Sequence, residues 1–248
     1  MRIDIISLFP DMFTGPLGHS ILKRAQDSGL ISVHVTNPRD FTYDKHRIVD
    51  DTPFGGGAGM VMKPEPIFRA VDSIVNASNA QHRRIILMCP GGQVFDQDKA
   101  RELAGYEQLI LLCGHYEGID ARIREHVVDE AVSIGDYVLT GGELPAMVVT
   151  DAVARMIPGV LGANASAEQD SFYNGLLEYP HYTRPREFNG WEVPEILLSG
   201  DHAKIERWRR KESLRATFIR RPDLLENVEL SPLDYKLLKE IKSEQAGG

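Results

Sequence analysis

Residues 109–145 read LILLCGHYEGIDARIREHVVDEAVSIGDYVLTGGELP. The first five are apolar without a break, then Gly114 ends the run and a polar turn begins. A helix-like segment follows, then a second run over 127–134. After it come Gly135-Asp136-Tyr137 and Gly141-Gly142, with Pro145 close behind. Two buried strands that end in glycine-rich turns one helix apart are how open α/β sheets build ligand crevices. This stretch therefore reads as a cofactor site.

Working outward, the apolar periodicity switches repeatedly between strand and helix. Residues 2–9, 30–35, 84–89 and 109–113 read as strands; 17–25, 66–75, 96–104 and 144–157 read as helices. Asp96 is an N-cap candidate, and Pro90-Gly91-Gly92 closes the strand before it. Strands alternating with helices of about ten residues predict βαβ units and a mostly parallel sheet flanked by helices. Residues 39–62 show no period. They carry His46 among several charged residues, then Gly55, Gly56, Gly57 and Gly59. A loop of about 20 residues is uncommon in a compact domain and is usually functional or disordered.

Beyond Gly159 the composition changes. Residues 162–175, GANASAEQDSFYNG, are small and polar and read as a linker. The predicted organisation is an α/β domain over 1–161, that linker, and a small helical domain over 176–248. In the last part Ser199 reads as the cap of a long helix ending at Arg220 or Arg221. A final helix begins at Ser231-Pro232-Leu233-Asp234, with Leu233, Leu237, Leu238 and Ile241 as its apolar face.

The chain has 248 residues, a net charge of −8 and two cysteines, Cys89 and Cys113, each ending an apolar run. Two such cysteines make no disulfide framework, which places the protein in a reducing cytoplasm. No apolar run is long enough to span a membrane, and MRIDIISLFP is too short and interrupted for a secretory signal. Net charge averages over the surface, however. Between Lys204 and Arg221 stand eight basic residues against Glu206 and Glu212, a local charge of +6, with Trp208 and Phe218 interleaved. Such a helix suits phosphate contacts and base stacking. It also suits a solvated helix whose Ile205, Trp208 and Phe218 face a core.

The chemical motifs narrow the choice. The glycines at 55–59 lack the Lys-Ser/Thr of a phosphate loop, and no G-x-G-x-x-G follows a strand. Neither metal-ligand spacings nor a nucleophile elbow occur, so His115 reads as a packing or hydrogen-bonding residue and both cysteines as small hydrophobes. Arg155 stands in an otherwise apolar helix, where it must reach solvent or meet an anion. Asp170 stands in the small-residue stretch, where a carboxylate is usually just solvated.

FGGGAGMVM (54–62), CGHYEGID (113–120), SIGDYVLTGGELPAM (133–147), IPGVLG (157–162), DSF (170–172), PHYTRP (180–185) and EILLSGDH (195–202) together resemble the bacterial tRNA (guanine-37-N1)-methyltransferases. The resemblance runs in order through nearly the whole chain. It implies a SPOUT fold, in which the C-terminal part of the α/β domain threads a deep trefoil knot, an exception to the rule against threaded loops. It implies S-adenosylmethionine bound in that knot by Pro90, Gly114, Tyr116, Glu117, Ile134, Gly135, Asp136, Tyr137, Val138, Leu139, Gly141, Gly142 and Pro145. The implied reaction methylates N1 of guanosine 37 beside the anticodon, with Asp170 as general base and Arg155 stabilising charge on O6.

The same resemblance implies a homodimer whose active site lies at the subunit interface, with Asp170 and the C-terminal domain of one subunit completing the site of the other. His46, Gly55, Gly56, Gly57 and Gly59 are then guanosine-pocket candidates. Lys204, Arg207, Arg209, Arg210, Lys211 and Arg215 become tRNA contacts. Mg²⁺ is an implied additional requirement, with Glu117 and Asp170 as the candidate ligands. Two other readings stand beside this one: a knotted methyltransferase acting on ribosomal RNA or a ribose hydroxyl, and a non-catalytic RNA-binding module.

Overall fold

Leu109, Leu111 and Cys113 face one side of a sheet, Ile110 and Leu112 the other, and all five are buried. Their unbroken apolar run follows from that double coverage, because neither face of this strand meets water. The structure, a computed structural model, describes residues 1–162 and 170–246. These fall into two compact units, Met1–Gly162 and Ala163–Gly248. The expected linker lies, over 163–169, outside the described residues.

Unit 1 contains β1 (Arg2–Ile6), β2 (Ser32–Thr36), the short antiparallel pair β3 (Asp50–Asp51) and β4 (Val61–Met62), then β5 (Arg83–Val94), β6 (Gln108–Cys113) and β7 (Glu130–Ser133). The five longer strands form one parallel sheet in the order β2-β1-β6-β5-β7. The helices are α1 (Thr14–Leu17), α2 (Ser20–Asp27), α3 (Pro64–Asn76), α4 (Gln97–Ala104), α5 (Ala121–His126) and α6 (Glu143–Met156). Leu22, Ala25, Ala100, Leu103, Val149 and Val153 pack α2, α4 and α6 on one face of the sheet. Ile67, Ala70, Val71, Ile74 and Ile123 pack α3 and α5 on the other. Each buried Leu or Ile of these two cores contributes about 1.5–3 kcal/mol. This is the expected α/β architecture with a parallel sheet between helical layers.

Three local expectations change. The first strand stops at Ile6 rather than continuing to Phe9, because Ser7 turns inward and its Oγ donates to Glu143 Oε1 at 2.7 Å. Pro90-Gly91-Gly92 does not close a strand. Met88 and Gln93 both pair with Val132, so residues 89–92 form an excursion inside β5, and the strand resumes to Val94. Proline lacks the N–H that a ladder needs, so a bulge is where a strand tolerates it. Gly92 has a separate reason: a Cβ there would overlap the backbone of Ala131 on β7. Asp96 caps α4 as expected, accepting from Lys99 N at 2.8 Å.

Unit 2 contains the pair β8 (Glu187–Phe188) and β9 (Trp191–Glu192) and the helices α7 (His202–Arg220) and α8 (Pro232–Ala246). Its core is Leu176, Leu214, Leu237, Leu238 and Ile241. Ser199 does not cap α7. Its Oγ donates back to Ile196 O, and Asp201 takes the N-cap, accepting from Lys204 N at 3.1 Å. Leu233 is exposed, and the inward residue of the first turn of α8 is Asp234. The Asp234 carboxylate both accepts from Ser231 in a capping box and pairs with Arg210 of α7 at 2.7 Å.

Candidate active site and RNA-facing surface

The cleft predicted from residues 109–145 exists at the carboxyl ends of β5, β6 and β7, where the N-terminus of α6 meets them. It has a volume of about 250 Å³. Of the residues implied for the cofactor, Pro90, Gly114, Tyr116, Glu117, Ile134, Gly135, Tyr137, Val138, Leu139, Gly141, Gly142 and Pro145 line it. Asp136 is not among the lining residues. Leu87, Met88, Cys89, His115, Ile119, Val132, Ser133 and Thr140 line it as well. Those at the strand ends follow from the sheet register, which sequence reasoning did not have.

Main chain makes this cleft. Gly142 N donates to Gly114 O at 2.9 Å, and a Cβ on Gly142 would stand 2.7 Å from Cys113 Cα and 2.9 Å from Gly114 N. Any other residue would push α6 off β6. Gly135 has φ +146, with the Tyr137 ring where its side chain would go. Under Gly141 lie the Glu143 carboxylate and His115 Nδ1. His115 packs edge-on between Phe9 and Tyr116, with centroids at 5.0 and 4.9 Å. Its Nδ1 is buried and has no hydrogen-bond partner among the described residues. A buried orphan of this kind is costly unless a ligand satisfies it. Burial, reinforced by Glu143, pushes the Cys113 thiol well up, so it stays protonated and inert.

The glycine cluster sits at the tip of the β3–β4 hairpin, where Gly55, Gly56, Gly57 and Gly59 all have positive φ. The strand ahead of the cluster has only two residues, too short to leave a periodic signal. The hairpin is tied to the cleft. Glu117 N donates to Met60 O at 3.0 Å and Met62 N to Gly118 O at 2.9 Å, while the Glu117 side chain occupies the space a Gly59 Cβ would need. His46 lies on an exposed turn held by Asp44, which accepts from His46 N and Ile48 N. Arg39 links that turn to the cleft rim, donating to Arg47 O at 3.1 Å while its other Nη stands 3.5 Å from the Tyr116 hydroxyl.

Arg155 is half-buried in the last turn of α6. At 1.5 Å per residue it stands about 15 Å along the axis from Pro145, the residue of α6 that lines the cleft. Asp170 belongs to unit 2, where it lines a cavity of about 240 Å³ together with Asn174, Tyr179, Glu206, Arg209, Arg210 and Ser213.

The cationic helix is less exposed electrically than its sequence suggests. Lys204 pairs with Asp201, Arg207 with Glu240, Arg209 with Glu206 and Arg210 with Asp234. Lys211 pairs with Glu240 and Glu244, and Arg215 with Glu212 and Glu244. Counting only Glu206 and Glu212 against it missed the acids of α8, which are distant in sequence. Trp208 packs near Tyr182, and Phe218 lies against the unit's own core. The more exposed of these pairs, such as Lys204–Asp201 and Arg209–Glu206, are worth about 0–1 kcal/mol each, so phosphate can compete for their cations, whereas Arg210 is tied to the buried Asp234.

The profile of the family described as "tRNA (Guanine-1)-methyltransferase TrmD" matches residues 1–227. The chain belongs to the tRNA (guanine-1)-methyltransferase family. It is 62% identical to the tRNA (guanine-N(1)-)-methyltransferase of Desulforamulus reducens, over 98% of this chain and 96% of that protein. It is 59% identical to the protein of that name from Bacillus cereus strain B4264 (99% and 100% covered). A Dehalococcoides mccartyi protein of the same name is 58% identical (99% and 98% covered). The protein is thus an enzyme of this family, and the family profile spans the whole of unit 1 and unit 2 as far as Asn227. Among the described residues no helix is long and apolar enough to cross a membrane. Nor do three His, Cys, Asp or Glu side chains converge as a metal site among them.

Proposed function

We propose that this enzyme methylates N1 of the guanosine at position 37 of tRNA, with S-adenosylmethionine as methyl donor bound in the cleft of unit 1. The observation that carries this reading is the cleft itself. Glycine-lined main chain, apolar walls from Leu87, Ile134 and Leu139, and the unpaired His115 Nδ1 suit an adenosine moiety. A bound S-adenosylmethionine supplies an electrophilic methyl group on a sulfonium. Glu117 and Asp170, the candidate Mg²⁺ ligands, belong to different units, and among the described residues neither stands in a group of three His, Cys, Asp or Glu side chains. They do not make a fit for the ion, and no step is routed through it.

The residues' roles follow from the chemistry of guanine. N1 of neutral guanine carries a proton and its lone pair is delocalised into the ring. Attack on the methyl group therefore needs a base at N1–H and a cation at O6, where charge develops. Asp170 is the base in this proposal, and Arg155 the cation. The target nitrogen is the nucleophile, so no cysteine is required, and the raised Cys113 pKa accords with that.

Arg155 at the far end of α6 supports a shared site, since about 15 Å of helix separates it from Pro145, the residue of α6 that lines its own cleft. The outer face near the start of α6 supports a second subunit too. Leu144 and Val148 are 50% and 46% exposed, and Phe9 and Met12, before and within the 3-10 turn Pro10–Phe13 that packs against α6, are 41% and 44%. Apolar groups gathered this way mark association surfaces. The proposal is thus a homodimer in the cytoplasm, with the last part of unit 1 threaded as a trefoil knot and unit 2 holding the anticodon arm. The tight seating of Gly142 on Gly114 fits a chain passing close to another. His46 and the hairpin glycines frame the guanosine, and α7 meets the RNA backbone.

The test is methyl transfer to two tRNA transcripts that differ only in guanosine or adenosine at position 37, with calorimetry of S-adenosylmethionine in parallel. Methylation of the guanosine transcript alone, with the cofactor bound, supports the proposal. Equal methylation of both overturns the position, and RNA binding without cofactor binding overturns catalysis.

A further inference from the structure

α7 is a cationic helix, yet two of its few buried side chains are hydroxyls. Ser213 and Thr217 are 9% and 0% exposed. A core position normally takes an apolar residue, and a buried hydroxyl must find partners. Both find the same one. Thr217 Oγ1 accepts from Leu177 N at 2.9 Å, and Ser213 Oγ donates to Leu177 O at 2.5 Å. Thr217 also returns its own proton to Ser213 O at 2.8 Å, so the pair, one helical turn apart, is fully satisfied. Together they hold both backbone groups of a single residue.

That residue ends the turn carrying Asp170. Leu176 beside it is buried in the core of unit 2, and Leu176 O accepts from Phe172 N at 2.7 Å. Glu178 N donates to Ser171 Oγ at 3.0 Å, and Tyr173 N to Asp170 O at 3.2 Å. Phe172 has φ +71, a conformation that persists for a non-glycine residue only where its surroundings over-determine it. Its ring lies under the Arg221 guanidinium at 5.8 Å. From 170 to 178 the chain is thus a closed turn clipped to α7.

We infer that Ser213 and Thr217 are positioning residues for Asp170, fixing the turn so that the carboxylate moves with α7 as one rigid piece. The inference rests on the reading of Asp170 as general base. Its consequence is that engagement of RNA by α7 and presentation of the base are a single event. A carboxylate out of place by about 1 Å costs on the order of 10²-fold in rate.

The experiment measures single-turnover methyl transfer at saturating tRNA and S-adenosylmethionine, with melting temperature and both dissociation constants, for Thr217→Val, Thr217→Ser, Ser213→Ala and Asp170→Asn. Ser243→Ala, whose hydroxyl donates only to Lys239 O on the exposed side of α8, is the control. Thr217→Val and Ser213→Ala should each lose roughly 10- to 100-fold in rate. Both dissociation constants should stay at wild-type values, and the pH profile should keep its shape. Thr217→Ser, which keeps the hydroxyl, should restore most of the rate, and Ser243→Ala should match wild type. A folded Thr217→Val or Ser213→Ala at full rate overturns the inference. So does a rate loss explained wholly by weaker tRNA binding, or one that Thr217→Ser does not reverse. If Asp170→Asn itself transfers at nearly full rate, the base reading falls instead, whatever the hydroxyl variants do.

Discussion

The cleft of unit 1 and the Asp170–α7 region of unit 2 are built from different parts of the chain. In the cleft the peptide backbone does the shaping: glycines at 114, 135, 141 and 142 line it, Gly142 seats its main chain against Cys113 and Gly114, and Glu143 is buried behind them. In unit 2 the side chains do it, through arginines, lysines and carboxylates that neutralise one another. A backbone-built site tolerates most side-chain changes but not an added Cβ where chains touch. A side-chain-built site tolerates packing changes but responds to single charges, salt and pH.

The largest expected effect separates the two regions most sharply. Asp170→Asn should lower single-turnover methyl transfer by roughly two to four orders of magnitude, the usual worth of general-base catalysis. Calorimetry should meanwhile find S-adenosylmethionine binding unchanged. Gly142→Ala should do the reverse, striking the cleft first. Its Cβ would stand 2.7 Å from Cys113 Cα, and overpacking of this kind costs about 1–3 kcal/mol, or roughly 5- to 150-fold in cofactor affinity. Gly91→Ala, whose nearest neighbour is Cys89 Sγ at 3.9 Å, should bind normally. If both alanines bind alike, close backbone approach is not what shapes the site.

Arg155→Lys should cost about tenfold in single-turnover rate, because a point charge cannot reproduce the planar guanidinium fork. A fully active lysine variant would remove O6 stabilisation from the proposal. The smallest effect concerns stability. Hydrogen bonding by Arg210 is the main cause that holds the Asp234 carboxyl down at about 2, against an ordinary 3.8. A depressed acid stabilises the fold above its unfolded pKa and loses that contribution as pH falls through its folded one. Melting of the wild-type protein should therefore drop between about pH 4 and 2, while Asp234→Asn melts lower at neutral pH. The gap between them should narrow on acidification; a constant gap would mean the pair does not stabilise the fold.

How much of this was legible without coordinates differs by element. The run 109–113 announced a doubly covered strand because only burial on both faces permits five apolar residues in a row. Asp96 announced a cap because its carboxylate needs only the three residues that follow it. Pro90-Gly91-Gly92 misled because a bulge and a strand end use the same residues, and only the pairing of Met88 and Gln93 with one Val132 tells them apart. Ser199 misled for a similar reason: Asp201, two residues on, satisfies the same helix end. The family resemblance located the cleft residues, all but Asp136 of which line it. It could not show that the glycine hairpin is tied to Glu117 and Gly118, a pairing across some 55 residues of chain.

By itself the sequence determined the alternation of strand and helix, the parallel sheet, the buried Cys113 and the family. All of these depend on residue type and short-range spacing, which is what a linear pattern records. The tertiary structure alone decided that the basic residues of α7 meet the acids of α8. It also decided that Leu177 is clipped by two hydroxyls about 40 positions away. Those are matters of which distant side chains share a few ångströms, and charge pairing and hydrogen bonding are settled at that range.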